Sequence, residues 1–164
     1  MARKRMMSPE FFSSAPVNRL PIPAAMTFAG LWCYFDDYGR GEDDPALVKA
    51  AVWPRRRSQT EAKVAADLAA IAAEGLICRY ESGGVSLIHS LSWDEHQKIS
   101  HKTPSRLPPC EEHEPDEYAT YLRQRGDGRD RFRNVSGITP ELSPNHAGRP
   151  PPLARVPRAT RGGI

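Results

Sequence analysis

Residues 58–89, SQTEAKVAADLAAIAAEGLICRYESGGVSLIH, restrict the fold more than any other stretch of the chain. Ser58 can accept the amide of Glu61, and the Glu61 carboxylate can reach back to the amide of Ser58. This capping box predicts a helix over Gln59–Glu74. Val64, Leu68 and Ile71 follow at i, i+4 and i+7 and form one apolar stripe. Gly75 at C′ and Leu76 at C″ predict a Schellman stop. Leu76, Cys78 and Tyr80 then alternate with Ile77, Arg79 and Glu81, and Ser82-Gly83-Gly84 turns the chain into a second strand, Val85–Ser90.

The preceding segments read as shorter helices. Ser8 and Pro9 suit the start of a turn carrying Phe11 and Phe12. Pro21 and Pro23 hold the chain extended, and from Ala24 to Tyr38 a helix carries Phe28, Leu31, Trp32, Tyr34 and Phe35 around most of its circumference, as a central helix does. Gly39-Arg40-Gly41 with Glu42, Asp43 and Asp44 reads as a polar turn. Pro45 opens a helix with Leu47, Val48, Ala51 and Val52 on its apolar face, and Trp53-Pro54 stops it. Arg55-Arg56-Arg57 bridges to the capping box. The expected fold is therefore mainly α with a small β-hairpin, ordered as a winged helix-turn-helix.

After Leu91 and Trp93 the apolar signals thin out. Residues 106–164 hold nine Leu, Ile, Val or Phe among 59, too few for a core. The expectation is a domain over 1–105 and a largely disordered Pro/Arg-rich tail over 106–164, with one short helix at Asp116–Arg125. Residues 21–105 carry nine Lys/Arg against eleven acids, so any attraction to phosphate must come from local clusters. An apolar run of 18 residues and a secretory signal core are both missing, which predicts a cytoplasmic protein without membrane partners. Cys33, Cys78 and Cys110 suit reduced thiols better than a disulfide framework.

In a helix-turn-helix the start of the second helix meets phosphates and base edges. Here that start offers Arg55, Arg56, Arg57, Ser58, Gln59, Thr60 and Lys63. Arg79 is the only cation of the expected wing, and Lys98 and Lys102 follow it in a segment suited to lie along a backbone. Arg3-Lys4-Arg5 reads as an arm. Against this stand the acids Asp67 and Glu74, and Ala62, Ala66, Ala69, Ala70 and Ala73 opposite the apolar stripe, which read little of a base edge. The alternative is a module binding a replication protein through that small-residue face.

His96, His101, Cys110 and His113 form the pattern H-x4-H-x8-C-x2-H, with ligand types that suit zinc. The paired CxxC of a zinc ribbon is lacking, so the expectation is no metal and no cofactor. His89 reads as a cross-strand neighbour. With no phosphate loop, nucleophile elbow or HExxH, the chain does not read as an enzyme.

The phrases MARKRMMSPEFF, PIPAAMTFAGLWCYFDDYGRGEDD, ALVKAAVWP, LAAIAAEGLICRYE and WDEHQKISHKTPSRLPPC resemble small helix-turn-helix proteins of actinobacterial phages and prophages. Those proteins are similar to the N-terminal winged-helix domains of phage replisome organisers and replication initiators. The resemblance covers residues 1–113 and is most distinctive at Phe28–Asp44 and Trp93–Pro109. It implies binding of double-stranded DNA at a replication origin or regulatory site in a bacterial host, homodimerisation, and contact with a phage or host replication protein. No catalytic residue carries over.

Overall fold

The computed structural model describes residues 4–126, which form seven helices and a three-stranded antiparallel sheet. Helices α1 (Glu10–Ser13) and α2 (Ala15–Arg19) are single turns that place Phe11 and Val17 in the core. Phe11 stacks on Phe28 at 6.0 Å and meets Trp32 edge-on at 5.5 Å. Both partners lie on α3 (Ile22–Tyr34), the central helix, which buries Ala24, Thr27, Phe28, Leu31 and Trp32. The helix ends four residues earlier than the apolar pattern predicts, because the Asp36 carboxylate accepts the amides of Tyr38 at 2.9 Å and Arg40 at 3.0 Å. A local side-chain acceptor of this kind offers the backbone an alternative to another helical turn.

The expected polar turn at 39–44 contains a strand, β1 (Arg40–Glu42), and the predicted hairpin is thereby enlarged to a sheet. Gly41 makes this possible: a Cβ there would lie 2.6 Å from Cε1 of Tyr34, closer than packed atoms can approach. Asp44 then caps α4 (Pro45–Val52), accepting from Ala46 at 2.7 Å and Leu47 at 3.4 Å. Val48 is fully buried, whereas Leu47 faces outward.

Helix α5 (Glu61–Ala73) begins two residues later than its sequence suggests. Thr60, not Ser58, is the cap, accepting the Lys63 amide at 3.3 Å. The predicted capping box does not form because Gln59 turns into the core to bond Asp67, which holds Ser58 outside the first turn. Val64, Leu68 and Ile71 are all fully buried, and Gly75 has φ +69° with Leu76 N–H donating to Ile71 O at 3.2 Å and Gly75 N–H to Ala72 O at 3.0 Å. These are the paired bonds of a Schellman motif.

Strands β2 (Ile77–Ser82) and β3 (Val85–Ser90) are joined by Gly83-Gly84, whose φ values of +62° and +78° suit the mirror-image turn of a tight hairpin. The sheet order is β1-β3-β2, with β3 central. Ile77 and Ile88 face the helices and join their core. Strand alternation sends Cys78, Tyr80, Leu87, His89 and Arg40 to the opposite, outer face. Helix α6 (Trp93–His96) seats Trp93 under Phe35 at 5.9 Å and donates its indole N–H to Asp37 O at 3.0 Å.

The packed unit continues past the expected boundary at residue 105. Thr103 donates its amide to the Asp37 carboxylate at 2.9 Å, the Ser105 hydroxyl to Asp36, and the Tyr80 hydroxyl to Pro108 O at 2.6 Å. The chain then enters α7 (Pro115–Gly126), and Glu114 just before it and Glu117 in its first turn hold the buried Arg40. A count of aliphatic residues misses this docking because polar bonds and one aromatic, Tyr121, secure it. The remainder of the expected tail, 127–164, lies outside the described residues. No helix among the described residues is long and apolar enough to cross a membrane.

Candidate nucleic-acid interface

A buried chain of hydrogen bonds sets the conformation of the turn before α5. The Trp53 indole donates to Thr27 Oγ1 at 2.9 Å, the Thr27 hydroxyl donates to Asp67 at 2.7 Å, and Gln59 donates to the same carboxylate oxygen at 2.7 Å. Trp53 and Gln59 are therefore fixed at either end, and Arg56 N–H to Trp53 O and Gln59 N–H to Arg56 O, both 3.2 Å, close the turns between them. With its ends drawn inward, the loop directs Arg55, Arg56 and Arg57 into solvent. Among the described residues no ion pair engages any of the three. Ser58, Thr60 and Lys63 are exposed at the same helix end, with Lys63 Nζ donating to Ser58 O at 2.8 Å.

Several of the side chains expected to face DNA are engaged elsewhere in the fold. Gln59 is buried and committed to Asp67, so its carboxamide cannot read a base. Asp67 points into the core, and Glu74 is bound by Arg19 at 2.7 Å, so neither acid lies free on the exposed face of α5. That face consists of Glu61, Ala62, Lys63, Ala66, Ala69 and Ala73, while Ala70 packs on the core. Arg79 forks onto Asp43 at 2.7 and 3.1 Å and is held on the sheet. The hairpin turn instead has a cation from α7: a Cβ on Gly83 would lie 3.4 Å from Arg125 Nη1.

Lys98 donates to Asp94 O at 2.7 Å, and Lys102 bonds the Asp94 carboxylate at 2.5 Å while lying 4.9 Å from the Tyr38 ring centre. Both are thus engaged around α6. Arg5 is not part of a free arm. Its guanidinium bonds the Asp37 carboxylate at 2.9 Å and the carbonyls of Trp32, Phe35 and Asp36, and it stacks 5.1 Å over Trp93. A cation here answers the carbonyl end of α3, where the helix dipole is negative.

The outer face of the sheet holds a second cluster. Cys78 and His89 are direct cross-strand partners on β2 and β3, and the Cys110–His113 turn is brought over them. Cys110 Sγ lies 4.0 Å from Cys78 Sγ and 3.5 Å from His113 Nδ1, and the His89 and His113 ring centres are 5.2 Å apart. One ligand atom from each of the four lies within 4.8 Å of the others. Burial pushes the Cys78 thiol up to about 11, helped by the neighbouring Cys110. Burial likewise moves the His89 imidazole below its usual value, with His113 and Arg40 adding to the effect against Glu114. His96 stacks on Trp32 at 6.0 Å and His101 is exposed, so neither joins Cys110 and His113.

The sequence reading missed Cys78 and His89 as members of this set. The signal was present in the turn: counting four residues back along each strand from the Ser82↔Val85 pair gives Cys78↔His89. A Cys-x-x-His pair further along then completes a Cys2His2 donor set. No protein-family model, curated protein or solved structure matches the chain.

Proposed function

We propose that this chain is a duplex DNA-binding protein of the winged-helix class, acting in phage or prophage replication initiation or transcription regulation. The observation that carries the proposal is the solvent-directed Arg55–Arg57 turn at the start of α5, pinned from inside by Trp53 and Gln59 and unpaired among the described residues. The order α3, β1, α4, α5, β2, β3, with β1 added beside β3, supports the class. The inward turn of Asp67 supports it further, since a carboxylate on the approaching face would repel phosphate. The biological setting rests on the resemblance to phage helix-turn-helix proteins.

Titration of a labelled duplex over several salt concentrations tests the reading. Replacing Arg55, Arg56 and Arg57 by alanine together removes up to three phosphate contacts and lowers the slope of log K against log salt by about 2–3. Curves identical to wild type remove the turn from the interface.

A protein-contact reading is favoured by a separate observation. Ile22 and Met26, one helical turn apart on α3, are 80 % and 53 % exposed. Such a stripe suits a second copy of the chain or a replication partner. Recovery of protein but no nucleic acid in low-salt pull-downs decides for this reading over DNA binding.

A further inference from the structure

We infer that Cys78, His89, Cys110 and His113 bind one zinc ion in a closed structural site that fastens the Cys110–His113 turn, and α7 behind it, to the outer face of the sheet. The donor set is two sulfurs and two imidazoles, the Cys2His2 composition that zinc takes in tetrahedral sites. Zinc–sulfur bonds of about 2.3 Å and zinc–nitrogen bonds of about 2.0–2.1 Å imply tetrahedral edges of about 3.8 Å between sulfurs and about 3.5 Å between sulfur and nitrogen. The corresponding separations here are 4.0 Å for Cys78 Sγ to Cys110 Sγ and 3.5 Å for Cys110 Sγ to His113 Nδ1.

A second observation points to the same centre. His89 is only 3 % exposed, and its Nε2 has no hydrogen-bond partner. A buried polar atom without a partner costs about 1–3 kcal/mol, so few are tolerated without a reason. A metal ion on this atom removes the deficit. The four donors also come from elements that the backbone already fixes. Cys78 and His89 are held opposite each other by the sheet register. The Cys110 turn is closed by Glu114, whose amide donates to Cys110 O at 2.9 Å and whose carboxylate accepts the Cys110 amide at 3.0 Å.

The chemistry of the set defines the role. Four protein ligands leave no open coordination position, which marks a structural ion and not a catalytic one. Two thiolates balance the divalent charge, so the ion adds no net charge beside Arg40, whose own charge Glu114 and Glu117 already answer. The sulfur separation is far beyond a disulfide bond of about 2.05 Å. The site stands independently of DNA binding.

The test is metal analysis of the full chain purified under reducing conditions, followed by removal of metal and titration with cobalt(II). The expected result is about one zinc per chain, and a cobalt spectrum with tetrahedral ligand-field bands and thiolate charge transfer. Cys78→Ser and His89→Ala lower zinc content to near zero, whereas Cys33→Ser, His96→Ala and His101→Ala retain it. Should Cys78→Ser fail to fold, the wild-type cobalt spectrum decides by its thiolate band. Near-zero zinc in the reduced wild type with no cobalt–thiolate band overturns the inference. So does zinc retained in both Cys78→Ser and His89→Ala, or lost in His96→Ala and His101→Ala.

Discussion

The Gln59 carboxamide donates to the Asp67 carboxylate at 2.7 Å inside the helical core, and this bond decides where α5 begins and how the arginine turn is presented. The same oxygen accepts the Thr27 hydroxyl, which in turn takes the Trp53 indole. One carboxylate therefore ties α3, the end of α4 and the start of α5 together. Its removal leaves donors from Gln59 and Thr27 unanswered, each at a cost of about 1–3 kcal/mol. Asp67→Ala is expected to lower stability by roughly 2–4 kcal/mol in urea unfolding. Asp67→Asn, which keeps one acceptor oxygen, is expected to lose less. If the chain binds duplex DNA as proposed, Asp67→Ala, under conditions where it remains folded, is also expected to weaken that binding by loosening the Arg55–Arg57 turn.

The two cations nearest the hairpin should behave differently. Arg79 is committed to Asp43, whose own side chain is only 8 % exposed, so Arg79→Ala leaves a largely buried carboxylate without this partner and is expected to cost about 1–3 kcal/mol of stability. On the proposed function, the salt dependence of duplex binding should not change. Arg125 lies beside Gly83 at the turn and donates to the Tyr121 hydroxyl at 3.3 Å, and in the proposed DNA complex it is the cation of the hairpin end that would meet phosphate. Arg125→Ala is expected to reduce the slope of log K against log salt by about 0.9 while leaving the unfolding midpoint in place. The reverse pattern would assign the proposed phosphate contact of the hairpin to Arg79.

Where α3 and α4 cross, the spacing is set by a missing side chain. A Cβ on Gly30 would lie 2.3 Å from Cγ1 of Val52, a β-branched group with little freedom to move away. Helix propensity favours alanine over glycine by about 0.8–1 kcal/mol, but overpacking costs about 1–3 kcal/mol. Gly30→Ala is therefore expected to destabilise on balance. Combining it with Val52→Ala removes the clash, and the double variant should be more stable than the sum of the single effects predicts. Additive losses in the cycle would mean that the helices move apart without strain.

How far the sequence could be read follows from where its information is local. The Schellman stop at Gly75, the Val64–Leu68–Ile71 stripe and the glycine hairpin turn depend on neighbours a few residues away, and all three appear in the structure. The start of α5 was misread because Asp67 draws Gln59 inward, a tertiary contact invisible to a capping pattern. Strand β1 was hidden because it pairs with residues 87–89, far along the chain. The docking of residues 106–125 was hidden for a related reason. It relies on Arg40, Tyr80 and Asp36 meeting acceptors and donors about 30 to 80 positions away, and aliphatic content carries no trace of such bonds. The Cys2His2 cluster combines both cases. Cys110 and His113 were visible as a spaced pair, whereas their partners required the hairpin register.

The Arg40 network permits an ordering of three variants. Arg40 is 3 % exposed and bonds both oxygens of Glu114, with Glu117 as a second acceptor that is half exposed. Burial works against the guanidinium charge, yet the bonds and attraction from Glu114 and then Glu117 hold its pKa above the usual arginine value. Glu114→Ala leaves a buried cation with one solvent-screened partner and also strips the acceptor from the Cys110 amide. Arg40→Met removes the cation, leaves the Glu114 carboxylate with the Cys110 amide, and lets the half-exposed Glu117 turn toward water. Glu117→Ala removes only the outer partner, which water screens. The expected order of destabilisation is Glu114→Ala greatest, at roughly 2–4 kcal/mol, then Arg40→Met, then Glu117→Ala below about 1 kcal/mol. Limited proteolysis should follow the same order, with cleavage between residues 100 and 115 appearing first in Glu114→Ala. Equal protection in all three variants would mean that α7 is held to the sheet by contacts other than Arg40.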